Sequence, residues 1–119
     1  MKALIVDPSK TYRLLLKEFL YGHSIIPEEV NTGQEALTCL DEGGVELVCI
    51  AMHLPDMTGT ELAKKIKNLS KGANIFIILL SGESNPQKLA QMKTPEVNAV
   101  CQKMAIDQIK ALLSKVSKN

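Results

Sequence analysis

An acid, a hydroxyl and a lysine stand where short apolar runs of this 119-residue sequence end. Asp7 follows Ala3 to Val6, Ser81 follows Ile75 to Leu80, and Lys103 follows Asn98 to Gln102. A carboxylate can hold a hard cation, an ammonium can receive negative charge developing on an oxygen, and a hydroxyl can hydrogen-bond to either. Such a set suits work on an anionic group. Another run, Leu47 to Ile50, reaches Ala51 and then breaks into the loop Met52 to Gly59. It delivers a methyl group, which is neither nucleophile, ligand nor donor.

The elements that would gather these residues are legible in the pattern. The runs at Ala3 to Val6, Leu47 to Ile50 and Ile75 to Leu80 are short, mostly unalternating and rich in branched residues, as in strands buried on both faces of a parallel sheet. Ile25 to Val30 contains Pro27, which cannot donate to a ladder and so belongs at an edge. Asn98 to Gln102 makes a weaker fifth strand. Between them, Tyr12, Leu15, Leu16, Phe19 and Leu20 recur with helical period, as do Leu62, Ile66 and Leu69, and then Ile106, Ile109, Leu113 and Val116. Thr32-Gly-Gln-Glu35 and Thr58-Gly-Thr-Glu61 are capping boxes, and Ser84-Asn-Pro86-Gln87 puts proline in a first helical turn. Strand and helix alternate five times. The expected fold is α/β, a doubly wound five-stranded parallel sheet of flavodoxin-like type with strand order 2-1-3-4-5, whose site lies beyond the carboxyl ends of the strands.

Composition narrows the function classes. At 45% hydrophobic, one domain over residues 1–119 with a single core is expected. A net charge of +1 and two Tyr plus two Phe argue against nucleic acid as partner. Cys39, Cys49 and Cys101 have no metal-ligand spacing and read as reduced core residues of a cytoplasmic protein. No signal-like start or long apolar span is present, so no membrane partner is expected.

Four features in order on this (βα)5 pattern are similar to the response-regulator receiver domain, the phosphoacceptor module of two-component signalling. They are "VDPS" with Asp7, "AMHLPDMTG" with Pro55 and Gly59 in a D-x-x-x-P-x-x-x-G frame, Ser81 in "LLSGES", and Lys103 in "VCQKM". The resemblance covers essentially the whole chain. It implies that the phosphoacceptor aspartate belongs where Ala51 stands and that the second acid of the pair after the first strand belongs where Pro8 stands. Asp7, with the backbone carbonyl of His53, is all that the resemblance leaves of the metal site. A weak or absent Mg2+ site and no other cofactor are therefore expected. Asp7, Pro8, Ala51, Ser81 and Lys103 form a degenerate pocket, and the expected function is a non-enzymatic regulatory module, a pseudo-receiver.

Asp7 and Lys103 are expected to form an ion pair, and Ser81 to hydrogen-bond the loop that follows it. Val100 stands at the position of the family's rotating aromatic. Met104 stands in place of the proline after the lysine, so a trans peptide and a shifted Lys103 are expected. His23 and His53 lack partners at metal or base spacing. Asp56 lies too far along its loop to substitute as acceptor. Lys64, Lys65, Lys67 and Lys71 read as a solvated face, with Glu61 and Lys65 paired at i, i+4. The resemblance places partner contacts on Leu89, Met92, Val100, Gln108, Leu112 and Lys115. The partner is a protein, a second copy of the chain, or an attached output domain such as a diguanylate cyclase, the chain then being the N-terminal part of a longer signalling protein. The alternative is a conventional phosphoacceptor whose residue 51 was engineered to alanine. A nucleotide or flavin protein is disfavoured because "DPSKTYR" has no glycine-rich phosphate cradle.

Overall fold

The computed structural model describes residues 1–117. Strands and helices alternate as β1 (Lys2–Val6), α1 (Lys10–Gly22), β2 (Ile26–Val30), α2 (Gly33–Asp41), β3 (Leu47–Ala51), α3 (Gly59–Lys67), β4 (Phe76–Ser81), α4 (Pro86–Gln91), β5 (Ala99–Gln102) and α5 (Ile106–Ser117). All pairings are parallel, in the order β2-β1-β3-β4-β5. The period of two sorts each strand between two layers. Ala3 and Ile5 of β1 face Leu16, Leu20, Ile109 and Leu113 of α1 and α5. Leu4 and Val6 face Ala36, Leu40, Leu62 and Ile66 of α2 and α3. Helices on both faces explain why the central strands are apolar without alternation.

β2 is an edge strand, as Pro27 requires. The Ile26 N–H donates to the Met1 carbonyl, so Pro27, one residue on, turns its hydrogen-free nitrogen to the open edge. The Asn31 N–H just beyond donates to the Glu35 carboxylate.

The capping boxes sit where the sequence puts them. The Thr32 and Thr58 hydroxyls accept from the backbone N–H groups of Glu35 and Glu61, each such cap contributing about 1 kcal/mol. At α4 the cap is Asn85, whose side chain accepts from Gln87 and Lys88, with Pro86 in the first turn. α4 is short and has no buried residue.

Two readings of the lysines change. Glu61 turns back to the Thr58 hydroxyl at 3.1 Å, and no Glu61–Lys65 ion pair is present among the described residues. Lys67 folds its ammonium onto the carbonyls of Ala73 and Ile75, leaving Lys64, Lys65 and Lys71 as the exposed part of the stripe. Lys71 lies 3.4 Å from the Asp41 carbonyl.

Cys49 and Cys101 are buried and free, as expected. Cys39 is instead half-buried on α2, donating to Glu28 at 2.8 Å. Burial first, then that bond to an acid, pushes its thiol up to about 11.

Candidate functional site at the carboxyl ends of the strands

Each of the first, third, fourth and fifth strands delivers one residue to the same end of the sheet. β1 leads into Asp7, β3 ends on Ala51, β4 ends on Ser81, and β5 leads into Lys103. The register aligns them: Ala51 is level with Leu80, Ser81 is level with Gln102, and the Lys103 N–H continues the ladder to the Ser81 carbonyl at 2.8 Å.

Asp7 is the centre of this end. It is 1% exposed, with Oδ1 accepting from the Ser9 N–H at 2.8 Å. Oδ2 lies 2.7 Å from the Lys103 ammonium as an ion pair and has no hydrogen-bond donor aligned on it among the described residues. Burying a carboxylate costs several kcal/mol, so this one is tenable only with its cation in place. Ser9 also caps α1 through its hydroxyl, which accepts from the Tyr12 N–H. The turn holding the acid and the start of α1 are one unit. Pro8, between them, is exposed and supplies no ligand.

Tyr12 has a role here that helical period alone did not disclose. Its ring lies under the Lys103 ammonium, 4.5 Å from ring centroid to nitrogen, and its hydroxyl donates to the Lys103 carbonyl at 2.8 Å. A cation over an aromatic face contributes about 1 kcal/mol where it is partly desolvated. Burial holds the phenol well above its ordinary value, so it remains a donor. Arg13, next in sequence, donates to the Asp7 carbonyl at 2.7 Å and to Glu29 at 2.7 Å, while Lys17 reaches the other Glu29 oxygen. These contacts tie α1 to β1 and β2.

No cis peptide occurs in the described chain, in keeping with Met104. With Met104 beside it, Lys103 is held at its backbone by Ser81 and Tyr12, and its ammonium reaches Asp7. Met104 itself is 67% exposed.

Ser81 is 3% exposed and accepts from the Glu83 N–H at 3.0 Å, the loop-capping role expected of it. Ala51 is 4% exposed. Its carbonyl explains the loop glycine: a Cβ on Gly59 would lie 2.6 Å from the Ala51 oxygen and 2.5 Å from Leu79 Cδ1. The loop closes through an antiparallel bridge between His53 and Thr58. No donor within the described hydrogen bonds reaches the His53 carbonyl, and its ring is exposed. His23 lies elsewhere, its ring nitrogens 2.9 Å from the Phe19 carbonyl and 2.9 Å from Ser114 Oγ, joining α1 to α5.

Asp56 is not brought to Asp7. Its two oxygens accept from the Gly33 and Gln34 N–H groups, both at 2.9 Å, so a residue of the β3–α3 loop caps α2. These bonds lower its pKa, so its stabilising contribution is present above the ordinary carboxylate range and is lost as pH falls through the lowered value. Beside these bonds the Met57 side chain packs on Gly33, where a Cβ would lie 2.5 Å from its sulfur.

As donors to Mg2+, the side chains here are few. The ion takes six oxygens in near-octahedral array. Asp7 has one oxygen on a backbone N–H and the other on Lys103, and positions 8 and 51 offer none. Among the described residues no three His, Cys, Asp or Glu side chains gather where a metal ion could be held.

The sequence profile described as "Response regulator receiver domain" matches residues 3–115. This chain belongs to that family. The osmolarity two-component system protein SSK1 of Saccharomyces cerevisiae is 31% identical over 96% of this chain, which spans 17% of the SSK1 length. The chemotaxis protein CheY of Halobacterium salinarum is 32% identical over 75% of this chain and 74% of its own length. In three dimensions the receiver is similar to the response regulator TrrA of Thermotoga maritima, solved with Mg2+ and BeF, at TM-score 0.83 and 27% identity, covering 97% of both chains. The observed strand order and five helices are those of that fold.

The dependence of Asp7 on Lys103 gives a measurable coupling. Lys103→Met strands a buried carboxylate and should cost about 3 kcal/mol in urea denaturation. Adding Asp7→Asn, which keeps an acceptor for Ser9, should return at least half of that loss. Additive losses within about 0.5 kcal/mol would show that the two ions are not coupled.

Proposed function

We propose that this receiver domain is a regulatory protein-interaction module, neither an enzyme nor phosphorylated at the usual position. One observation carries the reading: the residue that β3 delivers to the site is Ala51, while the lysine that would meet a phosphoryl group is committed to Asp7 at 2.7 Å. A covalent acyl phosphate needs an oxygen nucleophile, a hard cation and an available positive group. The methyl group is no nucleophile, Pro8 leaves Asp7 as the lone acid for a cation, and Lys103 already neutralises that acid. Mg2+ binding is accordingly weak or absent. The loss of two acids, not one, favours this reading over a conventional phosphoacceptor in which only residue 51 was engineered.

The partner surface proposed is α4, β5 and α5. Leu89, Met92, Val100 and Leu112 are half-buried there, beside exposed Gln108 and Lys115, and α4 has nothing buried to fix it from within. Half-covered apolar groups rimmed by polar ones suit a protein partner. That partner is an attached output domain, of diguanylate cyclase type among others, a separate protein, or a second copy. The match to a small part of SSK1 suits a receiver that works within a longer chain. Cytoplasmic placement goes with this role, and among the described residues no helix is long and apolar enough to cross a membrane.

Acetyl phosphate and beryllofluoride should leave the mass and the backbone chemical shifts of the parent chain unchanged. Ala51→Asp alone should recover little phosphorylation, whereas Ala51→Asp with Pro8→Asp should recover Mg2+-dependent phosphorylation. Full activity of the single variant would mean that position 51 alone was missing, and would favour the engineered alternative.

For the partner surface, hydrogen exchange on adding a candidate partner should slow at residues 86–92 and 99–115. Protection confined to α1 would remove this face from the account.

A further inference from the structure

The end of the sheet opposite Asp7 holds a cavity of about 620 Å3, half open to solvent, at the starts of β3 and β4 and the last turns of α5. This size lies within the usual range of small-molecule sites, roughly 300 to 1,000 Å3. Its apolar lining includes Met1, Phe76, Leu112 and Val116, all of which pack on the core layer under α1 and α5. Lys71 and Lys115 stand on its rim against one acid, Glu46. Neither lysine has a carboxylate within 4.0 Å among the described residues, where the only ion-paired cations are Lys2, Arg13, Lys17 and Lys103. The Lys71 ammonium lies 3.4 Å from the Asp41 carbonyl, and its side chain runs beside Gly43.

We propose that this groove binds a small amphipathic carboxylate, an acid with a medium-length alkyl chain or a single aromatic ring. The apolar body lies against Phe76, Leu112 and Val116, and the carboxylate meets the rim between Lys71 and Lys115. Among the described residues these two ammonium groups have no carboxylate partner and outweigh Glu46, which is why the occupant is an anion and not a neutral or cationic amphiphile. Leu112 and Lys115 also belong to the proposed partner face, so an occupied groove would alter the surface offered to a partner. The binding stands independently of that reading. Only its coupling to a partner rests on it.

Octanoate is the probe, titrated into the isolated 15N-labelled chain below its micelle concentration. Saturable shifts at Glu46, Phe76, Asn98, Leu112 and Val116, with Kd of about 1 mM or tighter, are expected. Lys71→Gln and Lys115→Gln, surface changes that leave the core intact, should each weaken binding about threefold, and 1-octanol should bind more weakly than octanoate. Absence of saturation by about 10 mM, or shifts centred on Asp7 and Ser81, would overturn the proposal. So would equal binding of octanol together with unaffected lysine variants, which would leave an apolar groove without anion selectivity. Concentration-dependent shifts at the same residues without octanoate would place a second copy there and likewise overturn it.

Discussion

A carboxylate that is almost wholly buried with one ammonium beside it constrains everything at this end of the molecule. Asp7 cannot lose Lys103 without being left charged in a poorly solvated place, and the Lys103 ammonium stands 2.7 Å from it. The pair spans the sheet from the end of β1 to the end of β5. On the proposed reading, proline at position 8 and alanine at position 51 leave Asp7 as the one acid facing Lys103.

The surrounding contacts hold this arrangement. The Tyr12 ring receives the ammonium from below while its hydroxyl holds the Lys103 carbonyl, and the Ser81 carbonyl takes the Lys103 N–H. Ser9 joins Asp7 to the first turn of α1, and Arg13 grips the Asp7 carbonyl. On the other side, Asp56 binds the β3–α3 loop to the start of α2. Tyr12 of α1 thus braces the end of β5.

Much of the fold was legible because its causes are local. Apolar runs without alternation mark strands covered on both faces, Thr-x-x-Glu marks a helix start, and Pro27 marks an edge; each signal lies within a few residues of its effect. The Asp7, Ser81 and Lys103 constellation was legible because parallel strands put all their carboxyl ends together. What escaped the sequence lies in side chains that reach across it. Tyr12 and Lys103 are 91 positions apart, and the helical stripe that buries Tyr12 says nothing of where its hydroxyl ends. Asp56 meets α2 some 22 to 23 positions upstream, and Lys67 leaves its solvated stripe for loop carbonyls. Lys103 likewise finds its partners far from Met104 in sequence, at Ser81 of β4, at Tyr12 of α1 and at Asp7 just past β1.

The central claim is that Lys103, held by Asp7 and Tyr12, leaves the signalling end of this receiver in a single arrangement. Backbone 15N relaxation dispersion tests it most directly, at residues 81–84 and 102–106 of the unmodified chain. Flat profiles, with no exchange on the microsecond to millisecond scale, are the predicted result. Dispersion shared by both segments, reporting a second state populated at about 1% or more, would contradict it by showing that the end of the sheet still switches.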